Sequence, residues 1–297
     1  MKKFAALLLA GAMICSLAAC GGDKKETEAP DATAAEAAEE TKAPETDAKA
    51  EETTEAGGTT EAGTESTETK AEGESGGKLI MATEAGFAPY EYTEDGSTVI
   101  GVDVDIANEI AKAMGKELEI QNMDFDSALL AVQQGKADFA AAGISVSPDR
   151  EKVMDFSVEY ATSRQVVVVN KAAKRVDSVD ALTADTVVGV QGGTVADFYC
   201  QDDLGTKDLK QYKKFMEAAM DLKNDRIDCV IMDALPAEEM VKANDDLEIL
   251  EGEVFTDKYA IAVQKGDTEM LEQINEVLQK LIDEGKIEEF TVNHTTK

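Results

Sequence analysis

The residues best suited to bind a charged solute lie at a predicted junction between a strand and a helix. Residues 137–142 are small and apolar, which is typical of a buried strand. Gly143 and Ser145 follow and offer backbone amides and a hydroxyl, and Arg150 comes a few residues later. An arginine can hold a carboxylate through two parallel hydrogen bonds. This segment therefore predicts an oxyanion-binding site.

The residues after this strand favour a helix start. Ser147 is a good N-cap, Pro148 suits the first helical position and Asp149 suits the first turn. The alternative interpretation is a surface junction between a strand and a helix, with Arg150 in solvent.

A second candidate anion cradle lies further along the chain. Residues 186–190 are an apolar run that indicates a buried parallel strand, and the turn at residues 191–194 then opens a helix. Amides at a helix start bind anions. The turn lacks both the G-K-[ST] lysine and the G-x-G-x-x-G spacing, so we expect no nucleotide site.

Composition excludes several classes of function. The formal net charge is −32 and the isoelectric point is about 4.3, which argues against binding nucleic acid or an anionic membrane surface. The chain has no tryptophan and one histidine, His294. Zinc sites and Ser-His-Asp catalysis therefore lack their usual residues, and we expect neither a metal nor a cofactor.

The N-terminus has the features of an export signal. Residues 1–3 include two lysines, and residues 4–17 form an apolar run too short to span a bilayer. Cys20 directly follows small residues, which resembles the lipobox of bacterial lipoproteins. This pattern predicts a signal peptide over residues 1–19 and lipidation of Cys20. The alternative is an ordinary secretory signal with a chance cysteine.

An acidic segment separates this signal from the rest of the chain. Residues 21–77 contain 17 acidic and 5 basic residues and no aromatic residue. Such a segment repels itself and cannot bury a core. We therefore expect residues 20–77 to be a disordered tether between a lipid anchor and a domain. The alternative is a tail that binds a basic partner.

The pattern after residue 78 is that of a parallel α/β protein. Residues 78–83 predict a strand, and a helix capped by Asp103 follows to about Met114. Residues 117–120 alternate as a second strand, and Asp126 is expected to cap the next helix. The strand described above completes a β-α-β-α-β unit.

One motif resembles a known family. Residues 101–107, G-V-D-V-D-I-A, are similar to the G-F-D-V-D-L-A signature of family 3 solute-binding proteins, the polar amino acid receptors of bacterial ABC importers. Further matches in the same order and spacing are at residues 87–92, 123–125, 137–145, Arg150 and 155–157. The series covers nearly everything after residue 78.

The resemblance implies a two-lobed periplasmic-binding-protein-like fold with the ligand in the cleft. Each lobe would be a mostly parallel sheet flanked by helices, and two hinge strands would join the lobes. Lobe 1 is expected to span residues 78–164 and 258–297, and lobe 2 residues 165–257. Residues 224–230 echo residues 134–140, as two similar lobes would explain; chance similarity of two buried strands is the alternative.

The resemblance also implies a set of ligand-binding residues. Those expected to bind the α-carboxylate are Arg150, Ser145, Gly143 and Thr194. Asp233 matches the aspartate that holds the α-ammonium group. The side-chain pocket would consist of Phe87, Phe125, Glu84, Gln191 and Met232. Asp233 could instead be a helix N-cap, and the two phenylalanines could be core residues.

The chemistry of this set is that of a zwitterion site. An arginine and an aspartate in a closed, dry cleft bind opposite charges more strongly than water allows. Glu84 at the far end would suit a cationic or amide side chain, so we expect a polar or basic amino acid. Met232 and Gln191 depart from the more basic residues of some relatives, which weakens an assignment to glutamine.

The sequence therefore predicts a monomeric, lipid-anchored receptor on the extracytoplasmic face of the cell membrane. It would deliver its amino acid to an ABC permease driven by an ATPase, and would not be an enzyme. The alternatives are a dehydratase acting on a prephenate-like acid, with Glu84 as the candidate proton-transfer group, and a ligand sensor for a signalling partner. Cys200 and Cys229 are expected to be buried free thiols, although an exported chain could pair them.

Overall fold

The computed structural model describes residues 76–295, in which two β-sheets are each flanked by helices. The strands are β1 Gly76–Thr83, β2 Gly86–Phe87, β3 Glu91–Thr93, β4 Val99–Ile100, β5 Lys116–Asn122, β6 Phe139–Ala140, β7 Met154–Phe156, β8 Ala161–Asn170, β9 Val187–Gln191, β10 Asp208–Tyr212, β11 Cys229–Asp233, β12 Leu247–Ile249, β13 Phe255–Tyr259 and β14 Ala262–Gln264. The helices are α1 Val102–Ala113, α2 Phe125–Gln133, α3 Val195–Asp202, α4 Phe215–Lys223, α5 Ala234–Ala243, α6 Thr268–Asp283 and α7 Lys286–Thr295.

The first sheet has the strand order β5-β1-β6-β14-β7. Strand β1 pairs in parallel with β5 and β6, so that Met81 lies opposite both Ile120 and Phe139. Strand β14 pairs antiparallel with β6 and β7. Helices α6 and α7 pack against α1, and the core between them includes Ile110 and Ile274. The C-terminal helices therefore belong to the lobe that begins with β1.

The second sheet has the strand order β10-β9-β11-β8-β12, and β13 also pairs with β8. Strand β9 runs parallel to β10 and β11, whereas β8 runs antiparallel to β11, β12 and β13. Residues 166–169 of β8 are four consecutive valines, all buried. A run of β-branched residues without alternation is what a strand covered on both faces requires.

Strands β8 and β13 link the two sheets. The chain leaves the first sheet after β7, enters the second along β8, and returns from β13 to β14. These two strands lie side by side, with Asp257 opposite Ser163 and Tyr259 opposite Ala161. The lobe boundaries expected at residues 164/165 and 257/258 fall within them and stay a prediction.

The predicted two-lobed α/β architecture is confirmed, with one difference in the sheets. Both sheets are mixed rather than mostly parallel. Within these two sheets, the antiparallel pairs all involve the crossing strands or the strand that returns from them, and β2, β3 and β4 form a small antiparallel sheet of their own. A chain that crosses twice between lobes brings its second crossing strand back in the opposite direction, so antiparallel pairs follow from the connectivity.

Asp103 does not cap helix α1 as expected. The N-cap is Gly101, whose φ of 136° favours glycine, and a Cβ there would lie 2.1 Å from the Tyr90 carbonyl oxygen. Asp103 is fully buried instead and accepts hydrogen bonds from the Gly143 amide at 3.0 Å and the Tyr160 hydroxyl at 2.7 Å. Its carboxyl ties the helix to the loop after β6.

Two other predicted helix starts are also wrong. Asp126 lies in the first turn of α2, whose N-cap position is taken by Asp124 without a side-chain hydrogen bond. The helix expected after Ser147 is only a three-residue 3₁₀ helix, Arg150–Lys152. Ser147 still accepts a hydrogen bond from the Arg150 amide at 3.4 Å. The helix is short because strand β7 begins at Met154, two residues after the helix ends. The local capping signals at residues 147–149 therefore did not determine its length.

Several predictions concern residues outside the described part of the chain. The signal peptide over residues 1–19, the lipidation of Cys20 and most of the tether up to residue 77 precede the first described residue, Gly76. Between residues 76 and 295, none of the helices has the length and hydrophobicity needed to cross a membrane.

The two cysteines of the second lobe, Cys200 in α3 and Cys229 in β11, are free and fully buried. The alternative of a disulfide between them is therefore not realised. Burial raises the pKa of the Cys200 thiol to about 12 and also raises that of Cys229. Because the thiolate is the reactive form, both groups are protected from thiol reagents.

We predict that a protein beginning at residue 76, which has only these two cysteines, reacts with a thiol reagent at neither site while folded and at both after denaturation. A colorimetric thiol count with and without denaturant measures this. A count of zero in denaturant without reductant would instead reveal a disulfide and contradict the structure.

Candidate functional site

A small cavity lies between the two sheets, with a free volume of about 20 Å³. This is far below the ~300–1,000 Å³ usual for ligand pockets, so the walls of the cavity would have to move apart to admit a solute. Its walls from the first lobe are Glu84, Phe87, Glu91, Phe125, Ala142, Gly143, Ser145 and Arg150. Those from the second lobe are Gln191, Thr194, Val195 and Asp233.

The cavity is built where strands of both sheets end. Glu84 follows β1 directly, and Ser145 lies in the loop after β6. Gln191 and Asp233 are the last residues of β9 and β11. Ligands of open α/β sheets bind at the carboxyl ends of strands, which explains how residues far apart in sequence come together here.

Arg150 is a buried cation with no ion pair among the described residues, although the charges of Asp126, Asp257 and Asp233 act on it from further away. Its side chain, in a residue only 6% exposed, donates to the Ser145 carbonyl oxygen at 2.6 Å and to the Gly193 carbonyl oxygen at 2.8 Å. The guanidinium lies 5.4 Å from the Phe125 ring centroid. Burial lowers the pKa of Arg150 to about 10, which leaves it charged at neutral pH. No ion pair among residues 76–295 includes it, so an anion in the cavity would find an unpaired charge.

The start of helix α3 adds partial positive charge next to Arg150. Thr194 is its N-cap and accepts a hydrogen bond from the Asp197 amide at 3.3 Å. Val195, the first helical residue, lines the cavity and was missed by the sequence reasoning, because only the turn before it carries a motif. Amides in a first helical turn lack partners within the helix and attract anions.

The Gly143 amide is not available for the role expected of it. It donates to the buried Asp103 carboxylate, although Gly143 itself lines the cavity. Its φ of 53° favours glycine, and a Cβ there would lie 2.5 Å from the Phe87 ring. Gly143 therefore makes room for the aromatic wall rather than donating to a carboxylate.

Asp233 is a buried carboxyl with one oxygen fully used. Its Oδ1 accepts hydrogen bonds from Ser163 at 2.7 Å, from Gln165 at 2.8 Å and from the Tyr259 hydroxyl. No hydrogen bond within the described residues reaches Oδ2. Asp233 occupies the N-cap position of α5 but makes no capping hydrogen bond, so its side chain is free for the cavity. Burial raises its pKa.

Two further buried carboxyls, Glu84 and Glu91, face the cavity. Glu84 is 2% exposed and accepts from Gln191 Nε2 at 3.2 Å, and Lys214 Nζ lies 3.7 Å from its other oxygen. Glu91 is 1% exposed, and its Oε2 is buried without a hydrogen-bond partner. Burial raises the pKa of both carboxyls. Three acids therefore surround a cavity that contains one arginine.

Glu91 was not recognised from the sequence. It lies in the aromatic segment at residues 87–92, two residues after Pro89. Nothing else in the local sequence indicates that its carboxyl would face the cavity. Its burial depends on packing beneath the α1 start and beside Asp103, whose charge adds to the rise in its pKa. Such a location follows from tertiary structure alone.

The aromatic residues serve both as core and as cavity wall. The Phe87 ring stacks on Phe215 of the second lobe at 6.0 Å and on Tyr90 at 5.9 Å. The Phe125 ring lies against the Arg150 guanidinium. The two interpretations of these phenylalanines, packing and ligand contact, are therefore compatible.

Met232 does not line the cavity, contrary to expectation. Side chains alternate between the faces of a strand, and Asp233 next to it faces the cleft. Met232 is buried and lines a separate groove with Met216 and Met220 of α4. The alternation of β11 thus excludes it from the ligand pocket.

No group of acidic, histidine or cysteine side chains between residues 76 and 295 is arranged to hold a metal ion. The cavity can therefore be described by its charges and hydrogen-bonding groups. Opposite charges are placed at separate points: Arg150 and the α3 start for an anion, Asp233 Oδ2 for a cation, and Glu84 for a second positive or amide group.

Comparisons with known proteins agree with this geometry. The arginine-binding extracellular protein ArtP of Bacillus subtilis (strain 168) is 33% identical over 223 residues, covering 72% of this chain and 84% of that protein. A probable histidine-binding protein of Neisseria gonorrhoeae is 32% identical, covering 73% and 82%. The crystal structure of an amino acid ABC transporter substrate-binding protein, AbpA, from Streptococcus pneumoniae bound to L-arginine has a TM-score of 0.69 at 34% identity, covering 74% of this chain and 94% of that one.

The family model of the bacterial extracellular solute-binding proteins, family 3, matches residues 79–296. This range includes every described strand and helix except the first residues of β1, and it contains all the cavity residues. The family predicted from residues 101–107 and their flanking motifs is therefore confirmed, and the chain belongs to the bacterial extracellular solute-binding proteins of family 3.

Proposed function

We propose that this protein binds a basic amino acid, arginine or lysine, in the closed cleft and delivers it to the permease of an ABC importer. The observation that carries the choice of ligand is the excess of buried acid around the cavity. Glu84, Glu91 and Asp233 face one arginine, and one oxygen each of Glu84 and Glu91 is buried without a hydrogen bond. A ligand with two positive groups and one carboxylate carries a net charge of +1, which reduces this excess of buried negative charge.

Each charged group of such a ligand has a matching partner. Its α-carboxylate would bind Arg150 and the start of α3, and its α-ammonium group would bind Asp233 Oδ2. The side-chain cation would then reach Glu84. The Gln191 amide, which donates to Glu84 at 3.2 Å, would hold that carboxylate in position. The arginine and histidine named for the relatives are amino acids of this kind.

The lobes are held together around the cavity by contacts from both sides. Arg150 of the first lobe donates to Gly193, and Gln191 of the second donates to Glu84. Outside the cavity, Lys213 Nζ lies 2.6 Å from Asp124 Oδ2. The ligand groups would add to these contacts, so binding would favour the closed form over an open one.

The exported, anchored form of the protein is part of the proposal. The signal pattern over residues 1–19, the lipobox-like Cys20 and the acidic tether up to residue 77 support a monomer attached by lipid to the extracytoplasmic face of the membrane. The two crossing strands support lobes formed by residues 78–164 with 258–297, and by residues 165–257.

We predict that arginine and lysine raise the melting temperature most in a thermal-shift panel of the common amino acids. At a ligand concentration of about 100 times Kd, the stabilisation is about 2.7 kcal/mol, or ~5–10 °C for a domain of this size. Aspartate and glutamate are expected to give no shift, because their second carboxylate group would add to the buried negative charge.

The matched variants for this panel are Arg150→Ala and Arg175→Ala. Arg175 is a half-exposed arginine that pairs with Asp228, away from the cleft. Loss of Arg150 leaves the ligand carboxylate buried and unpaired, which costs roughly 2–5 kcal/mol of binding free energy. An Arg150→Ala protein that binds arginine as tightly as Arg175→Ala does would contradict the proposed site, and a panel without any shift would contradict the function.

We predict that Glu84→Gln changes specificity rather than abolishing binding. The variant keeps the hydrogen-bonding shape but removes the charge that would pair with a basic side chain. The Kd for arginine is expected to rise about tenfold or more, whereas the Kd for glutamine stays within a few-fold. Isothermal titration calorimetry with both ligands measures the ratio, and an unchanged ratio would exclude Glu84 as the group that reads the side chain.

We predict that Gly193→Ala weakens binding by obstructing closure. Gly193 has a φ of 75°, and a Cβ there would lie 1.9 Å from Asp126 Oδ1 of the other lobe. The neighbouring Gly192 is the matched control, since a Cβ there meets nothing closer than 3.8 Å. The Kd for arginine should rise at least about tenfold in Gly193→Ala relative to Gly192→Ala. Equal affinities of the two variants would show that the closed contact at Gly193 is not needed.

A further inference from the structure

A carboxyl group that the proposed ligand contacts do not use, Asp257, lies beside the Asp233 site. Asp257 of β13 lies opposite Ser163 of β8. Strand β11 pairs with β8 on its other side, and there the Ser163 hydroxyl donates to Asp233. The two acids therefore flank the same crossing strand. Asp257 Oδ2 is hydrogen-bonded to the Ser145 hydroxyl, which joins it to the carboxylate end of the cavity.

The two carboxyls have unequal surroundings. Three donors converge on Asp233 Oδ1 and stabilise its ionised form. Asp257 has the Ser145 contact, and its Oδ1 is buried without a hydrogen-bond partner, although the nearby Gln165 side chain also lowers its pKa in part. Burial and the charge of Asp233 raise the pKa of Asp257 to about 6. Neighbouring carboxyls in a dry site lose their protons at different pH values, so the last proton of the pair belongs to the less stabilised member.

The location of this proton decides what Ser145 can do. A serine hydroxyl has one hydrogen to donate. When Asp257 is ionised, that hydrogen goes to Asp257, and the serine oxygen presents only lone pairs to a ligand carboxylate. When Asp257 is neutral, its own O–H can donate to the serine oxygen. The hydrogen of Ser145 is then free to bind the ligand carboxylate beside Arg150.

We propose that Asp257 holds the one proton retained by the Asp233–Asp257 pair, and that in this neutral form it orients the Ser145 hydroxyl toward the α-carboxylate of the ligand. Asp257 is thus a positioning residue that acts through Ser145. The inference rests on the proposed function, because it assumes an amino acid with its carboxylate at Arg150. It makes ligand affinity depend on the protonation of a residue that the ligand does not touch.

The other charged and titratable groups that face Asp257 are Arg150, Asp233, Tyr90 and Tyr259. Burial raises the pKa of both tyrosines, so they stay neutral across the useful pH range. Arg150 stays charged. Asp233 has a raised pKa and would lose its proton to pair with the ligand ammonium group, which makes binding tighter as pH rises.

Asp257 has the opposite effect on affinity. Because the bound form needs its proton, binding takes up a proton at pH values above about 6. Ionisation of Asp257 therefore raises the Kd by a factor that grows up to about tenfold per pH unit above that value and is constant below it. The opposite signs allow the two aspartates to be separated by comparing variants.

The test compares wild type with Asp257→Asn by calorimetric titration with arginine, in buffers of different ionisation enthalpy. The asparagine amide donates to Ser145 at every pH. The ratio of the wild-type Kd to the Asp257→Asn Kd is expected to rise about 10- to 30-fold between about pH 5.5 and about pH 7.5. Proton uptake on binding should disappear in the variant. A ratio that does not change with pH would overturn the proposal.

Ser145→Ala tests the same coupling from the other side. With no hydroxyl to orient, adding Asp257→Asn to Ser145→Ala should leave the pH dependence of Kd unchanged. An effect of Asp257→Asn that persists without Ser145 would show that Asp257 acts by another route. Asp233→Asn is the matched carboxyl control and should weaken binding at every pH, since it removes the partner of the ammonium group.

A measurement without ligand separates failure of this inference from failure of the proposed function. The infrared difference spectrum between wild type and Asp257→Asn at about pH 5 should contain the carbonyl band of a protonated carboxylic acid. If no amino acid binds but this band is present, the function fails and the location of the proton stands. If arginine binds and the band is absent, the inference fails and the function stands.

Discussion

The cleft is organised around a buried cation, Arg150, which forms no ion pair with any residue between 76 and 295. Arg150 lies between two backbone carbonyl oxygens, one from each lobe, and against the Phe125 ring. Carbonyl dipoles and an aromatic face stabilise a guanidinium only in part, because desolvating a full charge costs several kcal/mol. An anion in the cleft would remove that cost. Since one of the two carbonyls belongs to Gly193 of the second lobe, the same side chain connects anion binding to closure of the cleft.

The strands that join the lobes also hold the cation end of the site. Ser163 and Gln165 of β8 and Tyr259 of β13 all donate to one oxygen of Asp233. Any change in the relative position of these strands would alter the donors that keep Asp233 ionised. The two crossing strands and the proposed ammonium site are therefore connected directly by hydrogen bonds.

If the proposed function is right, charge balance in the cleft would select the ligand. Asp233 and Arg150 together would accept any amino acid backbone, and the remaining buried acids, Glu84 and Glu91, then leave the cavity negative. Burial raises the pKa of both glutamates, and the Gln191 and Lys214 contacts offset this only in part for Glu84. A positively charged side chain would offset the cost of burying these acids, whereas a neutral one would leave that cost in place.

The sequence by itself determined the family, the two-lobed α/β fold and most of the residues that line the cavity. Arg150 could be named because it follows a recognisable strand, where ligands of α/β sheets bind, whereas Asp233 and Glu84 were named through the resemblance to the family. What only the tertiary structure decided is which neighbours those residues have. Ser145 and Asp257 are 112 positions apart and Gly143 and Asp103 are 40 apart, yet each pair is hydrogen-bonded. Met232 is excluded from the cavity by the alternation of β11, and Glu91 is included by packing. Hydrogen-bond partners and strand faces depend on long-range register, and local residue patterns do not contain it.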